Sequence, residues 1–209
     1  MSNSSSSEIS KLNGSKYLLV SFGGMAQNIG GIIPFEFLKY LSAVYENQID
    51  LLFYIDKNQF CYHKGIRGIS NTVEETVDYL NHKIKKGNYE KVIFMGTSGG
   101  GYASILFGSL CKVSHVIGFI APTILRNPKY KIYTDLKEYI CPTTQYLLYG
   151  DVSLRNKLDA HHISHCEYIE CFPNVKVVRN EYVDLRKMRD VGELKKIIDG
   201  VLYESSILH

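Results

Sequence analysis

Nowhere in the sequence do about 18 apolar residues run together, the length that a membrane-spanning helix requires, so no membrane span is expected. The opening "MSNSSSSEISKLNGS" has neither the basic start nor the apolar centre of a secretory signal, and residues 1–15 are expected to be a disordered tail. Tryptophan is absent, which by itself excludes nothing. An excess of one charge is lacking as well. The net charge is +3 and the basic residues are scattered, so nucleic acid is not an expected partner; "HKIKK" (His82 to Lys86) reads as the solvated end of a helix. Cys61, Cys111, Cys141, Cys166 and Cys171 are odd in number and include no C-x-x-C pair, which argues against a zinc site or a disulfide framework. Cys166 and Cys171, near three histidines, are a weaker metal-binding alternative to plain structural cysteines. No metal is expected, and a reducing cytoplasm fits best. Neither G-x-x-x-x-G-K-[ST] nor G-x-G-x-x-G occurs in support of a nucleotide cofactor, so none is expected.

What is present is the alternation of an α/β protein. At 209 residues, 45% of them hydrophobic and 22% charged, the chain can bury one full core and leaves little room for a second, so residues 16–209 read as one domain. "KYLLVSF" (Lys16 to Phe22), "IDLLFYI" (Ile49 to Ile55), "KVIFMG" (Lys91 to Gly96), "HVIGFIA" (His115 to Ala121), "TQYLLYG" (Thr144 to Gly150) and "VKVVR" (Val175 to Arg179) read as strands buried on both faces. Between them, "PFEFLKYLSAVYE" (Pro34 to Glu46) aligns Phe35, Phe37, Leu38, Leu41 and Val44 on one helical stripe. "VEETVDYLNHKIKK" does the same with Val73, Val77, Leu80 and Ile84, and "GELKKIIDGVL" closes the chain as a third helix. The expected architecture is α/β, a doubly wound and mainly parallel sheet of about six strands in a compact three-layer sandwich. Pro122, Pro128 and Pro142 bracket the least regular stretch, Thr123 to Cys141, expected to form a small cap or flap over the sheet edge.

One turn carries chemistry. In "KVIFMGTSGGGYASILFG", residues Gly96, Thr97, Ser98, Gly99 and Gly100 match G-x-S-x-G between a predicted strand and a predicted helix, the setting of a nucleophile elbow. A serine there is forced into a strained turn while small neighbours let strand and helix pass closely, and the N–H groups that open the helix face a developing oxyanion. Gly99 would give one donor. The competing reading is a tight βα turn, or a turn that cradles a phosphate.

"FMGTSGGGYASILFG" resembles the elbow of α/β-hydrolases, and "LLVSFGGM" (Leu18 to Met25) resembles the strand whose loop completes their oxyanion hole. The chain is more closely similar to small α/β-hydrolase-like proteins associated with surface-glycan gene clusters and with viruses, through "VSFGG", "PFEF", "YIDKNQFCYHKGIRG" and "RDVGEL". The resemblance covers roughly Lys16 to Leu202. It implies a second oxyanion donor at Gly24 or Met25.

In α/β-hydrolases the acid follows the strand two after the elbow and the histidine follows the last strand. "TQYLLYG" delivers two acids, Asp151 and Asp159; Asp159 is preferred, since the glycan-associated group tends to show its Asp in a D-x-x-H setting like "DAHH". Asp151 reads alternatively as a strand-end turn residue. After "VKVVR" there is no histidine. The position that the resemblance gives the base falls near Tyr182, whose phenol is a poor base at neutral pH. The candidates for a displaced base are His161, His162 and His165, with His162 preferred because it completes D-x-x-H, and His63 behind them; His209 is expected to be frayed.

Two functions follow. The first is a serine esterase or acyltransferase acting through an acyl-enzyme on a small-molecule or glycan ester, with Ser98, Asp159 and His162 in the catalytic roles. The second is an inactive hydrolase-like module that binds a glycan or a protein partner, with Tyr54, Tyr62 and Tyr102 available to stack on sugar rings.

Overall fold

The computed structural model describes residues 6–25, 31 and 34–203. Along the chain these form β1 (Glu8–Lys11), β2 (Tyr17–Phe22), α1 (Pro34–Val44), β3 (Asp50–Tyr54), α2 (Val73–Gly87), β4 (Lys91–Thr97), α3 (Gly99–Leu110), β5 (His115–Phe119), β6 (Gln145–Asp151), α4 (Ser164–Tyr168), β7 (Val175–Asn180), α5 (Leu185–Asp190) and α6 (Glu193–Tyr203). The strands form one sheet in the order β1-β3-β2-β4-β5-β6-β7, parallel except for β1, which runs antiparallel to β3.

The six strands expected from sequence are β2 to β7, to within a residue or two. β1 is the correction, because it lies inside the segment expected to be a tail. "EISK" has a single apolar residue and no readable alternation, and what orders it is polar. The Ser7 carbonyl accepts the Ile55 N–H at 3.1 Å, and the Glu8 carboxylate takes the Tyr79 hydroxyl at 2.5 Å and Lys83 Nζ at 3.1 Å. Asp50 Oδ1 accepts the Asn13 and Ser15 N–H groups at 2.7 and 3.1 Å. Such anchors pair residues distant in sequence and leave no local signature. The side chain of Phe35, and all of His209, lie outside what is described.

Alternation along the strands divides the core in two. Leu18, Val20 and Phe22 of β2, with Leu52 and Tyr54 of β3 and Val92 and Phe94 of β4, face one side and pack beneath α2 and α3. Leu19, Leu51, Phe53, Ile93 and Met95 face the other, covered by α1, α5 and α6. This is the three-layer sandwich, with each buried aliphatic or phenyl side chain contributing about 1.5–3 kcal/mol. α2 starts at Thr72, whose hydroxyl accepts the Glu75 N–H at 3.1 Å, and stops at Asn88 in the left-handed region (φ 50°), so its ends are written in the sequence. α5, with only Leu185 and Met188 buried, is too short to show a period.

α3 is buried along almost its whole length. Phe22 centres its packing, with ring centroids 5.3 to 5.7 Å from those of Phe94, Phe107, Tyr62 and Tyr54. The helix comes so close to β2 that a Cβ on Gly100 would sit 2.1 Å from the Phe22 carbonyl oxygen, with backbone on both sides of the clash. Gly100→Ala is therefore expected to cost at least about 3 kcal/mol, read as a lowered midpoint in urea denaturation. A loss under about 1 kcal/mol would mean that α3 has freedom to shift.

Candidate active site

β4 ends at Thr97 and α3 starts at Gly99, so Ser98 alone makes the turn between them. Its backbone lies at φ 54°, ψ −124°, a conformation that costs a residue bearing a side chain about 1–3 kcal/mol. Its N–H donates to the Phe119 carbonyl at 3.0 Å, and its own carbonyl accepts the Tyr102 N–H at 2.9 Å. The flanking glycines serve close approach. A Cβ on Gly96 would lie 2.2 Å from the Gly100 carbonyl oxygen, and one on Gly101 2.8 Å from Ala121 Cβ. The hydroxyl is thereby held at the carboxyl end of the sheet, beside the first turn of α3, whose N–H groups lack partners inside the helix.

The group that meets Ser98 comes from the loop after β6. His161 Nε2 lies 2.7 Å from Ser98 Oγ. The imidazole at the serine is thus His161 and not His162, and a turn explains the difference. The Asp159 carbonyl accepts the His162 N–H at 3.1 Å, and Asp159 Oδ1 accepts the His161 N–H at 2.8 Å, an Asx-stabilised β-turn. D-x-x-H marks the first and last residues of that turn, and the third residue is the one aimed at Ser98. His162 is buried (9% exposed), its Nδ1 accepting the Ser164 N–H at 3.0 Å. Asp159 Oδ1 stands 3.7 Å from His161 Nδ1, beyond direct hydrogen-bond reach, and both side chains are about two-fifths exposed.

The other acid and histidines make their hydrogen bonds away from Ser98. Asp151 Oδ1 accepts the Ser153 N–H and hydroxyl at 2.8 and 2.5 Å, and its Oδ2 the Val183 N–H at 3.1 Å. Burial opposes its ionisation, but these hydrogen bonds prevail and hold its carboxyl below the usual range. It ties the end of β6 to the segment after β7. His165 is buried against Thr123, whose N–H donates to its Nδ1 at 3.2 Å. His63 Nε2 lies 2.8 Å from the Tyr102 hydroxyl, which itself donates to the Tyr133 carbonyl, so His63 is the donor to Tyr102. Burial, reinforced by the Lys129 charge, pushes the His63 imidazole down to about 4.

The loop after β2 carries Gly24 and Met25. It is pinned by Tyr62, whose hydroxyl lies 3.0 Å from both the Gly23 and Tyr54 carbonyls, and by the Gly23 N–H, which donates to Tyr54 at 2.8 Å. The Met25 nitrogen stands 3.4 Å from where a Cβ on Gly99 would be. Residues 26–30 lie outside the described part of this loop.

Ser98, Gly99, Met25 and His161 open into a cleft of about 440 Å³ walled by Pro122, Ile124, Leu125, Tyr130 and Leu158. Most of that wall is the proline-bracketed segment, folded back on itself by the Ile124–Asp135 bridge and the Leu125 N–H bond to the Thr134 carbonyl at 2.8 Å. Sequence reasoning missed Tyr130 as part of this wall, since a lone tyrosine in an irregular stretch gives no signal. Tyr54, Tyr62 and Tyr102, by contrast, are 0 to 1% exposed and sealed in the core, so they cannot stack on a sugar.

Among solved structures the chain is similar to an esterase of Pyrococcus furiosus (14% identity, TM-score 0.59, covering 93% of this chain and 85% of that one). It is similar also to a capsule O-acetyltransferase of Neisseria meningitidis serogroup A in complex with CoA (13%, 0.61, 91% and 90%). A third likeness is to an α/β hydrolase enzyme from a lagoon-sediment metagenome (14%, 0.57, 92% and 95%). The fold is that of the α/β-hydrolases. No family model matches the sequence, and no curated protein does. In the chain order of α/β-hydrolases the histidine follows the last strand. Here Tyr182 stands after β7 and is 70% exposed, and the imidazole at the serine comes from between β6 and α4 instead.

Two outcomes test this geometry. Ser98→Gly is expected to be more stable than Ser98→Ala by about 1 kcal/mol or more in urea denaturation, because glycine enters the elbow conformation without strain; equal stabilities would deny the strain. The folded His63 value of about 4 lies below the ordinary 6.5, so between these the unfolded chain binds the extra proton. Its contribution is complete above about pH 6.5 and is lost as pH falls towards 4. The denaturation midpoint is expected to drop over that window, and to drop less in His63→Phe, which keeps the ring stacking on Tyr102. An undiminished slope in that variant would place the acid sensitivity elsewhere.

Proposed function

We propose that the protein is a serine hydrolase or acyltransferase that works through an acyl-enzyme on Ser98. The observation that carries this reading is the 2.7 Å approach of His161 Nε2 to the hydroxyl of a serine in a strained strand-to-helix turn. The fold-level similarity to esterases and to an O-acetyltransferase supports both versions equally.

In this reaction the Ser98 proton passes to His161 Nε2, with Nδ1 carrying the ring's other proton, as Oγ attacks the ester carbonyl carbon. The oxyanion is met by the Gly99 N–H and by an N–H of the Gly24–Met25 loop. The tetrahedral carbon then expels the alcohol, which takes the proton back from His161, leaving the acyl group on Ser98 Oγ. Water completes hydrolysis; an acceptor hydroxyl completes transfer. Asp159 holds the turn that presents His161, and its charge favours the imidazolium at a distance of 3.7 Å. The acylated-glycan substrate rests on the resemblance to glycan-associated proteins, and a cytoplasmic setting on five cysteines without disulfide partners.

A fluorophosphonate probe tests the chemistry. Labelling is expected in the native protein, absent in Ser98→Ala, and slower by about 10²- to 10⁴-fold in His161→Ala, while His162→Asn stays within about tenfold. Absence of Ser98-dependent labelling between about pH 6 and 9 would overturn the hydrolase reading. The cleft would then be read as a binding site for a glycan or a protein partner, in keeping with a half-exposed His161 that lacks a direct carboxylate bond.

A further inference from the structure

Among the described residues the cleft is lined by two cations, Arg126 and Lys129, and by no carboxylate. Both cations are exposed at its mouth. Arg126 has no hydrogen-bond or ion-pair partner among the described residues. Lys129 Nζ sits over the rings of Phe60 and Tyr130, 5.0 and 4.9 Å from their centroids, with no ion-pair partner among the described residues. The nearby carboxylates, Asp56 and Asp159, form no ion pair with either cation. Asp56 accepts the Asn58, Phe60 and Tyr62 N–H groups at 3.0, 2.7 and 2.9 Å, and Asp159 accepts the His161 N–H.

A third lining group is directional. His165 is only 4% exposed, and its Nδ1 accepts the Thr123 N–H, so Nε2 carries the ring proton. Burial first, then the Arg126 charge, holds this imidazole below its ordinary value. Nε2 has no acceptor among the described residues, and His165 lines the cleft. An isolated buried donor of this kind would be left unsatisfied by a purely apolar ligand.

We propose that the cleft selects acyl compounds that carry a negative charge, a carboxylate or a phosphate, with Arg126 and Lys129 supplying the opposite charge and the His165 Nε2–H a directed hydrogen bond. This rests on the hydrolase reading of Ser98 and names its substrate class. Cations that are not ion-paired, set in a concave and partly apolar surface, raise the local concentration of an anion and lose that advantage as salt screens them.

The test compares 4-nitrophenyl butyrate with 4-nitrophenyl hemisuccinate, similar in length but neutral and anionic on the acyl side. The hemisuccinate is expected to have the larger kcat/KM, by about three- to tenfold at low salt, and the ratio to fall towards one at high salt. Arg126→Ala and Lys129→Ala are each expected to lower the ratio. Lys176→Ala, which removes the same charge from an exposed position outside the cleft, leaves it unchanged. His165→Asn, whose amide oxygen can still accept the Thr123 N–H, is expected to lower it as well. Competition by inorganic phosphate against succinate tells which anion the cleft prefers. A ratio at or below one, or a ratio indifferent to Arg126 and Lys129, overturns the proposal. If neither ester is turned over, the hydrolase reading fails separately. Succinate binding to Ser98→Ala by calorimetry, weakened in the Arg126→Ala background or not, then decides the anion site by itself.

Discussion

The distance at which α3 passes β2 is the constraint on which the rest of the site depends. With a hydrogen in place of a side chain at Gly100, the helix axis drops onto the Phe22 carbonyl. Only from that position can Ser98 be both the last residue of a strand path and the cap of a helix. The approach is stabilised from beneath by the aromatic cluster around Phe22 and by a helix buried on nearly all sides, which together supply far more apolar burial than the strain at one residue consumes. Move the helix out by the width of a methyl group and the N–H groups of its first turn no longer point where the serine oxygen is held.

A second economy is the use of one short turn for both partners of the serine. Asp159 and His161 belong to the same four residues, so their relative position is fixed by local hydrogen bonds and needs no second loop to be brought up from after β7. The arrangement has a cost. The oxygen that accepts the His161 N–H is the same Oδ1 that faces Nδ1, and the turn holds it 3.7 Å away. The carboxylate therefore orients the imidazole through the backbone and acts on its charge only through space, in a setting open to solvent. In the proposed reaction, His161 would depend more on its own geometry at Ser98 than on Asp159.

The layers and the elbow were legible because both follow from local pattern. Runs such as "LLVSF" and "KVIFM" announce strands buried on two faces, and the clustering of small residues around Ser98 announces a close strand-to-helix turn. What escaped reading was whatever depends on long-range or turn geometry. β1 is held by Asp50, Tyr79 and Lys83, none of them near it in sequence. D-x-x-H marks the loop that approaches Ser98, but its His162 is not the imidazole beside the hydroxyl, because His161 occupies the third position of the β-turn and His162 its end. Tyr54, Tyr62 and Tyr102 illustrate a further limit: composition shows that tyrosines abound, and only packing shows that these three seal the core.

The backbone at the elbow is strained at one residue only, Ser98. Gly96, Gly99, Gly100 and Gly101 all keep ordinary dihedral angles, so none of them is needed for conformational freedom; each makes room for a neighbour. The one member of the cluster with positive φ is Ser98, where glycine would relieve strain and nothing in the packing demands a side chain. A turn selected for compactness alone would carry glycine at that position too. Strain borne by the single residue that presents a hydroxyl to an imidazole 2.7 Å away is strain spent on holding that hydroxyl. The same economy extends along the cleft, where Cys61 also has a positive φ (49°) and the neighbouring Asp56 carboxylate holds the turn that carries it. Elsewhere positive φ falls on turn and helix-end residues such as Asn47, Asn88 and Lys112; along the lining of the cleft it falls on Ser98 and Cys61.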